Sequence, residues 1–295
     1  MQDPKMMEQI TTGQGFIAAL DQSGGSTPGA LKAYGITDEA FSSDEEMFAL
    51  IHAMRSRIIT SPCFTGDKVI GAILFERTMD GEADGKPVPQ LLWERGVVPF
   101  LKVDKGLEEE QDGVKLMKPI PGLGELLERA KAKGIFGTKM RSVIELASPS
   151  GIKAIVAQQF QVASEIIDHG LMPIIEPEIS IGSPERAEAD RLLLSELTKA
   201  LDALPKGRQV MLKLTIPADA NLYAPLVDHP NVARVVALSG GFSREQACAE
   251  LARNRGMIAS FSRALLSDLR HEMSGEEFNA SLATAIDEIH GASIR

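Results

Sequence analysis

LMPIIEPEI (Leu171–Ile179) and QVMLKLTI (Gln209–Ile216) are two short apolar runs that turn charged only toward their C-terminal ends. Between them, Arg186–Leu204 repeats its apolar residues at the 3.6-residue spacing of an amphipathic helix. A strand, a helix and a second strand in this order imply parallel pairing through a right-handed crossover. The same alternation runs outward in both directions. Before the first of these runs come GFIAALDQ (Gly15–Gln22), IGAILFE (Ile70–Glu76), VVPFLKVD (Val97–Asp104) and FGTKMRSV (Phe136–Val143). After the second come VARVVALSGG (Val232–Gly241) and MIASFSRAL (Met257–Leu265).

Eight strands alternating with helices, such as the one over Ile152–Asp168, predict an α/β fold, a single (β/α)8 TIM barrel. An open doubly wound sheet is the alternative, but it usually carries a glycine-rich first turn, and no GxGxxG follows a strand here. The longest gap, between the first two strands, holds an additional helix around Asp44–Ile59. The 295 residues suit one barrel domain spanning the whole chain, with no low-complexity linker.

A net charge of −10 argues against nucleic acid or an anionic membrane as partner. No stretch reaches the roughly 18 apolar residues of a membrane span. The first residues, MQDPKMMEQI, lack the apolar core of a signal peptide. Cys63 and Cys248 form no C-x-x-C motif, so a cytoplasmic protein is expected. A homo-oligomer is compatible with the sequence.

Barrel enzymes build their sites at the C-terminal ends of the strands, and residues two apart on a strand share a face. The same-face pairs there are Asp21 with Ser23, Lys102 with Asp104, Lys139 with Arg141, and Glu176 with Glu178. Lys213 stands alone among Val210, Met211, Leu212 and Leu214. Charges in a barrel interior are costly unless paired or used, and a lysine in an apolar strand is strongly disfavoured. Lys213 therefore reads as a chemical group.

A lysine amine attacks a carbonyl only when unprotonated, against an ordinary pKa of about 10.4. Apolar surroundings and a neighbouring cation favour the free amine, and Lys139 facing Lys213 would supply both conditions. The iminium so formed is an electron sink that makes the adjacent carbon–carbon bond breakable. Asp21, Glu176 and Glu178 are available for the proton transfers. Ser239-Gly240-Gly241 lets backbone N–H groups approach an oxyanion, the loops after strands seven and eight are the usual phosphate site of such barrels, and Arg263 could add a bidentate contact. None of the five histidines ends a strand, and no clustered His/Cys pattern suggests a metal. Glu176 and Glu178 could in principle hold Mg²⁺.

AALDQSGGS (Ala18–Ser26), FLKVDKG (Phe100–Gly106), GTKMRS (Gly137–Ser142), PIIEPE (Pro173–Glu178), MLKLTIP (Met211–Pro217), LSGG (Leu238–Gly241) and SFSRAL (Ser260–Leu265) together resemble class I fructose-1,6-bisphosphate aldolase, in its short bacterial form. The likeness covers nearly the whole chain in order. It implies reversible cleavage of fructose 1,6-bisphosphate to dihydroxyacetone phosphate and glyceraldehyde 3-phosphate, in glycolysis and gluconeogenesis, without metal or other cofactor. By the family pattern Lys213 forms the Schiff base and Glu176 is the general acid/base of the carbinolamine steps. Asp21 handles the C4 hydroxyl proton, and Lys139 supplies positive charge and binds substrate hydroxyls. Lys102 and Arg141 match positions supporting the sugar and its C6-phosphate side, as do Ser23 and Ser26. Ser239, Gly240, Gly241 and Arg263 match the C1-phosphate site, and Glu178 matches a second carboxylate near the lysines.

Two departures stand out. Long animal-type members carry a terminal tyrosine that exchanges a proton on the enamine, whereas the tyrosines here are Tyr34 and Tyr223. The position that often holds an arginine for the C6 phosphate looks like Ala30. Two rivals share part of these signals: another Schiff-base barrel, of the transaldolase or deoxyribose-phosphate aldolase kind, and a catalytically silent barrel that binds a partner.

Overall fold

The computed structural model describes residues 3–295, so Met1 and Gln2 of the N-terminal stretch lie outside the described residues. Eight parallel strands follow one another around a nearly closed barrel: β1 (Phe16–Leu20), β2 (Val69–Leu74), β3 (Val98–Lys102), β4 (Gly137–Ile144), β5 (Met172–Ile179), β6 (Val210–Thr215), β7 (Val232–Leu238) and β8 (Ile258–Ala259). Each pairs with the next in sequence. The seam is closed by the Ala19 N–H, which donates to the Phe261 carbonyl at 3.0 Å.

The strands bury both faces. Outward residues such as Ile175, Leu212 and Val235 pack under the surrounding helices. Inward residues, among them Ile17, Phe100, Ile174, Met211 and Val236, form a second core inside the barrel. Gly137 makes room within it: a Cβ there would lie 2.8 Å from the Phe100 ring and 2.2 Å from the Met172 carbonyl oxygen. Near the strands' N-terminal ends this core is closed by the helix Pro4–Thr12, which the strand–helix alternation did not predict. Its Met6 and Ile10 join the interior cluster, and Arg234 donates to the Ile10 and Gly13 carbonyls at 2.9 and 2.8 Å. The apolar interior thus sits low in the barrel and leaves the polar strand ends to line the opposite mouth.

The helix expected near Asp44–Ile59 spans Asp44–Thr60, capped by Ser43, whose Oγ accepts the Glu46 N–H, with three acidic residues in its first turn. The last two strands are shorter than expected. β7 ends at Leu238, so Ser239, Gly240 and Gly241 form a turn beyond it. The run Met257–Leu265 yields only Ile258–Ala259 as strand, and Arg263–Leu266 coils into a helical turn. The reason lies in the seam: past Ser260, whose N–H still donates to the Ala237 carbonyl at 2.7 Å, the Leu265 N–H closes locally on the Ser262 carbonyl.

Candidate active site

The mouth of the barrel opens into a cleft of about 1260 Å³, lined by the charged strand ends and the loops after β1, β7 and β8. At its floor Lys139 Nζ lies 2.7 Å from Asp21 Oδ2, 3.0 Å from Glu176 Oε2 and 3.8 Å from Asp104 Oδ2. Lys213 Nζ lies 3.0 Å from the other oxygen of Glu176, Oε1. One carboxylate therefore spans two lysine amines. Lys102 and Lys139 stand opposite each other in the ladder between β3 and β4, and Asp104 separates them, 2.8 Å from Lys102. Three lysines and three carboxylates balance in a place almost without solvent, where Lys139, Glu176 and Lys213 are only 3–4% exposed.

The balance sets the protonation states. Burial alone would raise the Asp21 pKa, but the charges of Lys139, Lys213 and Lys102 outweigh it and hold the carboxyl well below the usual range. Burial would lower the Lys139 pKa, but Asp21, Glu176 and Asp104 outweigh it and push the amine well above its ordinary value. At neutral pH Asp21 is thus an anion and Lys139 a cation. Lys139 and Lys213 do not face each other bare, because Glu176 lies between them.

Glu178 pairs with Arg141 on the neighbouring strand and lines the same cleft as the lysines. Both carboxylates considered for Mg²⁺ are therefore engaged by cations, and the described residues contain no cluster of three or more His, Cys, Asp or Glu suited to a metal. Ser23 and Ser26 bind each other across a short 3₁₀ turn at the cleft edge. The Ser26 hydroxyl donates to the Ser23 carbonyl at 2.9 Å and accepts the Ser23 N–H at 3.0 Å.

At the other rim Gly240 and Gly241 take φ of 60° and 120°. A Cβ on Gly240 would meet Ile181 at 2.6 Å, and one on Gly241 would lie 3.5 Å from Arg263 Nη2. The turn's own bond runs from the Phe242 N–H to the Ser239 carbonyl at 2.9 Å, so it does not consume the two glycine amides. A guanidinium over a glycine turn is an anion cradle.

Ala30 also lines the cleft, with Lys105, Arg141 and Arg270 among the lining cations. Lys105 pairs with Glu76 at 3.1 Å, and Arg270 donates to the Ser267 and Leu269 carbonyls. Tyr34 lines the cleft too, but its hydroxyl accepts from Arg57 at 3.1 Å, while Tyr223 donates to Asp190 at 2.8 Å away from the cleft.

Sequence reasoning gave no role to Asp104 and did not find Gln22, Arg55 or Gln159. Asp104 was visible as the same-face partner of Lys102. Arg55, wholly buried, donates to Thr78 Oγ1 at 2.8 Å and to the carbonyl of Gln22, whose amide reaches Ser262. Burial draws the Arg55 pKa down to about 10 against the pull of Asp21. The only trace of Arg55 in the sequence is a cation on the core-facing stripe of its helix.

The strand order, with this lysine–carboxylate cluster at the mouth, defines a (β/α)8-barrel protein of the aldolase class. The profile of the family described as fructose-bisphosphate aldolase class-I matches residues 5–213. The chain belongs to that family. Its fold is similar to fructose-bisphosphate aldolase from Plasmodium falciparum, solved with TRAP and a small-molecule inhibitor. That likeness has a TM-score of 0.80 and 22% identity over 98% of this chain and 93% of that one. A Corynebacterium glutamicum protein solved by structural genomics shares the fold more loosely, with a TM-score of 0.59 and 14% identity over 98% of this chain and 92% of that one.

Proposed function

We propose that the protein reversibly cleaves fructose 1,6-bisphosphate to dihydroxyacetone phosphate and glyceraldehyde 3-phosphate through a Schiff base on Lys213, as a cytoplasmic enzyme of glycolysis and gluconeogenesis. The observation that carries this is Glu176, one carboxylate within 3.0 Å of both Lys213 and Lys139. Lys213 gives up its proton to Glu176 and attacks the C2 carbonyl of the open-chain sugar. Glu176 then returns a proton to the carbinolamine hydroxyl, which leaves as water, and the iminium remains.

Asp21, held anionic, takes the proton of the C4 hydroxyl. The C3–C4 electron pair flows into the iminium, C4 becomes the aldehyde carbon of glyceraldehyde 3-phosphate, and an enamine stays on Lys213. Protonation at C3 and hydrolysis release dihydroxyacetone phosphate. Lys139, a fixed cation beside Asp21, steadies the hydroxyls as charge moves between them. The Gly240–Gly241 turn with Arg263 receives the C1 phosphate. Ser23 and Ser26, with Lys102 and Arg141, serve the sugar and its C6-phosphate side.

No step needs a metal or other cofactor, and neither nucleic acid nor membrane enters. No helix among the described residues is long and apolar enough to cross a membrane. Cleavage of fructose 1,6-bisphosphate, coupled to triose-phosphate detection, should be unchanged by EDTA. Activity lost on chelation and restored by Zn²⁺ or Mn²⁺ would sink the proposal.

A further inference from the structure

The ladder between β5 and β6 pairs Ile174 with Met211 and Ile175 with Leu212, then stops one residue before Glu176. Side chains take over where it ends. Thr215 Oγ1 accepts the Ile179 N–H at 2.9 Å and donates to the Ile179 carbonyl at 2.7 Å. The Glu176 N–H donates to Gln159 Oε1 at 2.9 Å, and Gln159 Nε2 donates to Ser142 Oγ on β4 at 3.0 Å.

Gln159 lies on the helix Pro149–Asp168, whose other buried residues are Gly, Ile, Val, Phe and Ala. Gln159 and Ser142 expose no surface. A buried amide is costly unless both its ends are partnered, and both are. The partners also fix which way it points: its oxygen must face the Glu176 N–H, so its NH₂ group must face Ser142.

We propose that Gln159 is a positioning residue for Glu176, acting from behind the barrel wall. With Ser142 it sets the height at which the Glu176 carboxylate lies between Lys139 and Lys213. This rests on the function proposed above and adds a residue that touches no substrate. The strand carrying Glu176 is laddered to β4 along its length but to β6 only below Glu176. Without the amide, the Glu176 N–H loses its partner, and between the end of the β6 ladder and the Thr215 clip the strand can shift Glu176 toward one lysine and away from the other. Displacements of about 1 Å at a reacting group can cost on the order of a hundredfold in rate.

Gln159→Met keeps the side-chain length and removes both bonds, and Ser142→Ala removes only the anchor of the amide. For the cleavage of fructose 1,6-bisphosphate we expect KM within about threefold of wild type. In Gln159→Met kcat should fall roughly tenfold to a hundredfold. Ser142→Ala should show a smaller fall, and the double variant should be no worse than Gln159→Met.

Glu176 is faced by Lys139, Lys213 and Arg141, and Lys139 in turn carries Asp21 and Asp104. A shifted carboxylate meets these charges at new distances. The ¹³C carboxyl resonance of Glu176 in ligand-free protein at neutral pH should therefore move in Gln159→Met. A lower melting temperature with unchanged kcat and an unmoved Glu176 resonance would overturn the inference and leave Gln159 a packing residue. If Gln159→Met does not fold, Ser142→Ala is read by the same two measurements. Borohydride trapping of dihydroxyacetone phosphate on wild-type Lys213 separates the two proposals. Its absence removes the Schiff-base mechanism, while the Glu176 ¹³C resonance still decides the role of Gln159.

Discussion

Replacing Lys139 with Met removes the cation that touches three carboxylates, at 2.7, 3.0 and 3.8 Å, with little change in side-chain length. Taking one partner from a buried ion pair typically costs about 3–5 kcal/mol. Here Glu176 keeps Lys213 and Asp104 keeps Lys102, so Asp21 alone loses its close cation. The lower end, about 3 kcal/mol, applies. With an unfolding entropy of about 2.1 cal/mol/K per residue, the chain's total is roughly 0.6 kcal/mol/K, and the melting temperature should fall by about 5 °C at pH 7.

The pH dependence has a definite sign. In the wild type the Asp21 pKa is depressed from 3.8, so its stabilisation is present above about pH 4 and is lost on acidification through the lower folded value. The Lys139 pKa is raised from 10.5, so its contribution is complete below that value and disappears only as pH rises through the higher folded one. Between these limits Lys139→Met forgoes both. In the variant, burial of Asp21 is no longer opposed by its nearest charge, so protonating it relieves the fold. The melting-temperature gap should therefore narrow from pH 7 toward pH 4. Cleavage, followed by coupled triose-phosphate detection, should slow by roughly 10²–10³-fold with the loss of a preorganised charge. Activity within fivefold of wild type, or a gap that widens on acidification, would refute the roles given to Lys139 and Asp21.

Lys213→Met should give no borohydride-reducible adduct with dihydroxyacetone phosphate, as read by intact mass. An adduct that persists there but is lost in Lys139→Met would reverse the assignment of the two lysines. Arg263→Ala should raise KM for fructose 1,6-bisphosphate about tenfold to a hundredfold, since hydrogen bonds to a charged group contribute roughly 1.5–3 kcal/mol; an unchanged KM would remove Arg263 from the phosphate site. Ser293→Ala withdraws the hydroxyl that accepts the Ala259 N–H of β8 at 3.0 Å. It should cost about 1–3 kcal/mol of stability in thermal unfolding while kcat stays at the wild-type value, because a buried donor is left unpaired.

The eight-strand order, and the placing of charge at one end of the strands, were determined by sequence alone. Both are carried by periodicity: apolar runs that finish in Asp21, Lys102, Lys139, Glu176 and Lys213 can only direct those groups to one mouth of a parallel barrel. Local chemistry was equally legible in the Ser239-Gly240-Gly241 turn, where Gly241 takes a φ of 120° that favours glycine and a Cβ on Gly240 would strike Ile181. What the tertiary structure decided was pairing, which depends on distances across strands far apart in sequence. Nothing in the order of residues reveals that Glu178 pairs with Arg141, or that Glu176 divides its two oxygens between Lys139 and Lys213. The short β8 and the helix Pro4–Thr12 escaped for the same reason, since one is ended by contacts at the seam and the other is held by the barrel core it covers. Gln159 and Arg55 are the clearest cases. A polar residue on a buried helix face has no meaning until its partners are known, and those partners, Glu176 and Ser142 for one and Gln22 and Thr78 for the other, come together only when the barrel closes.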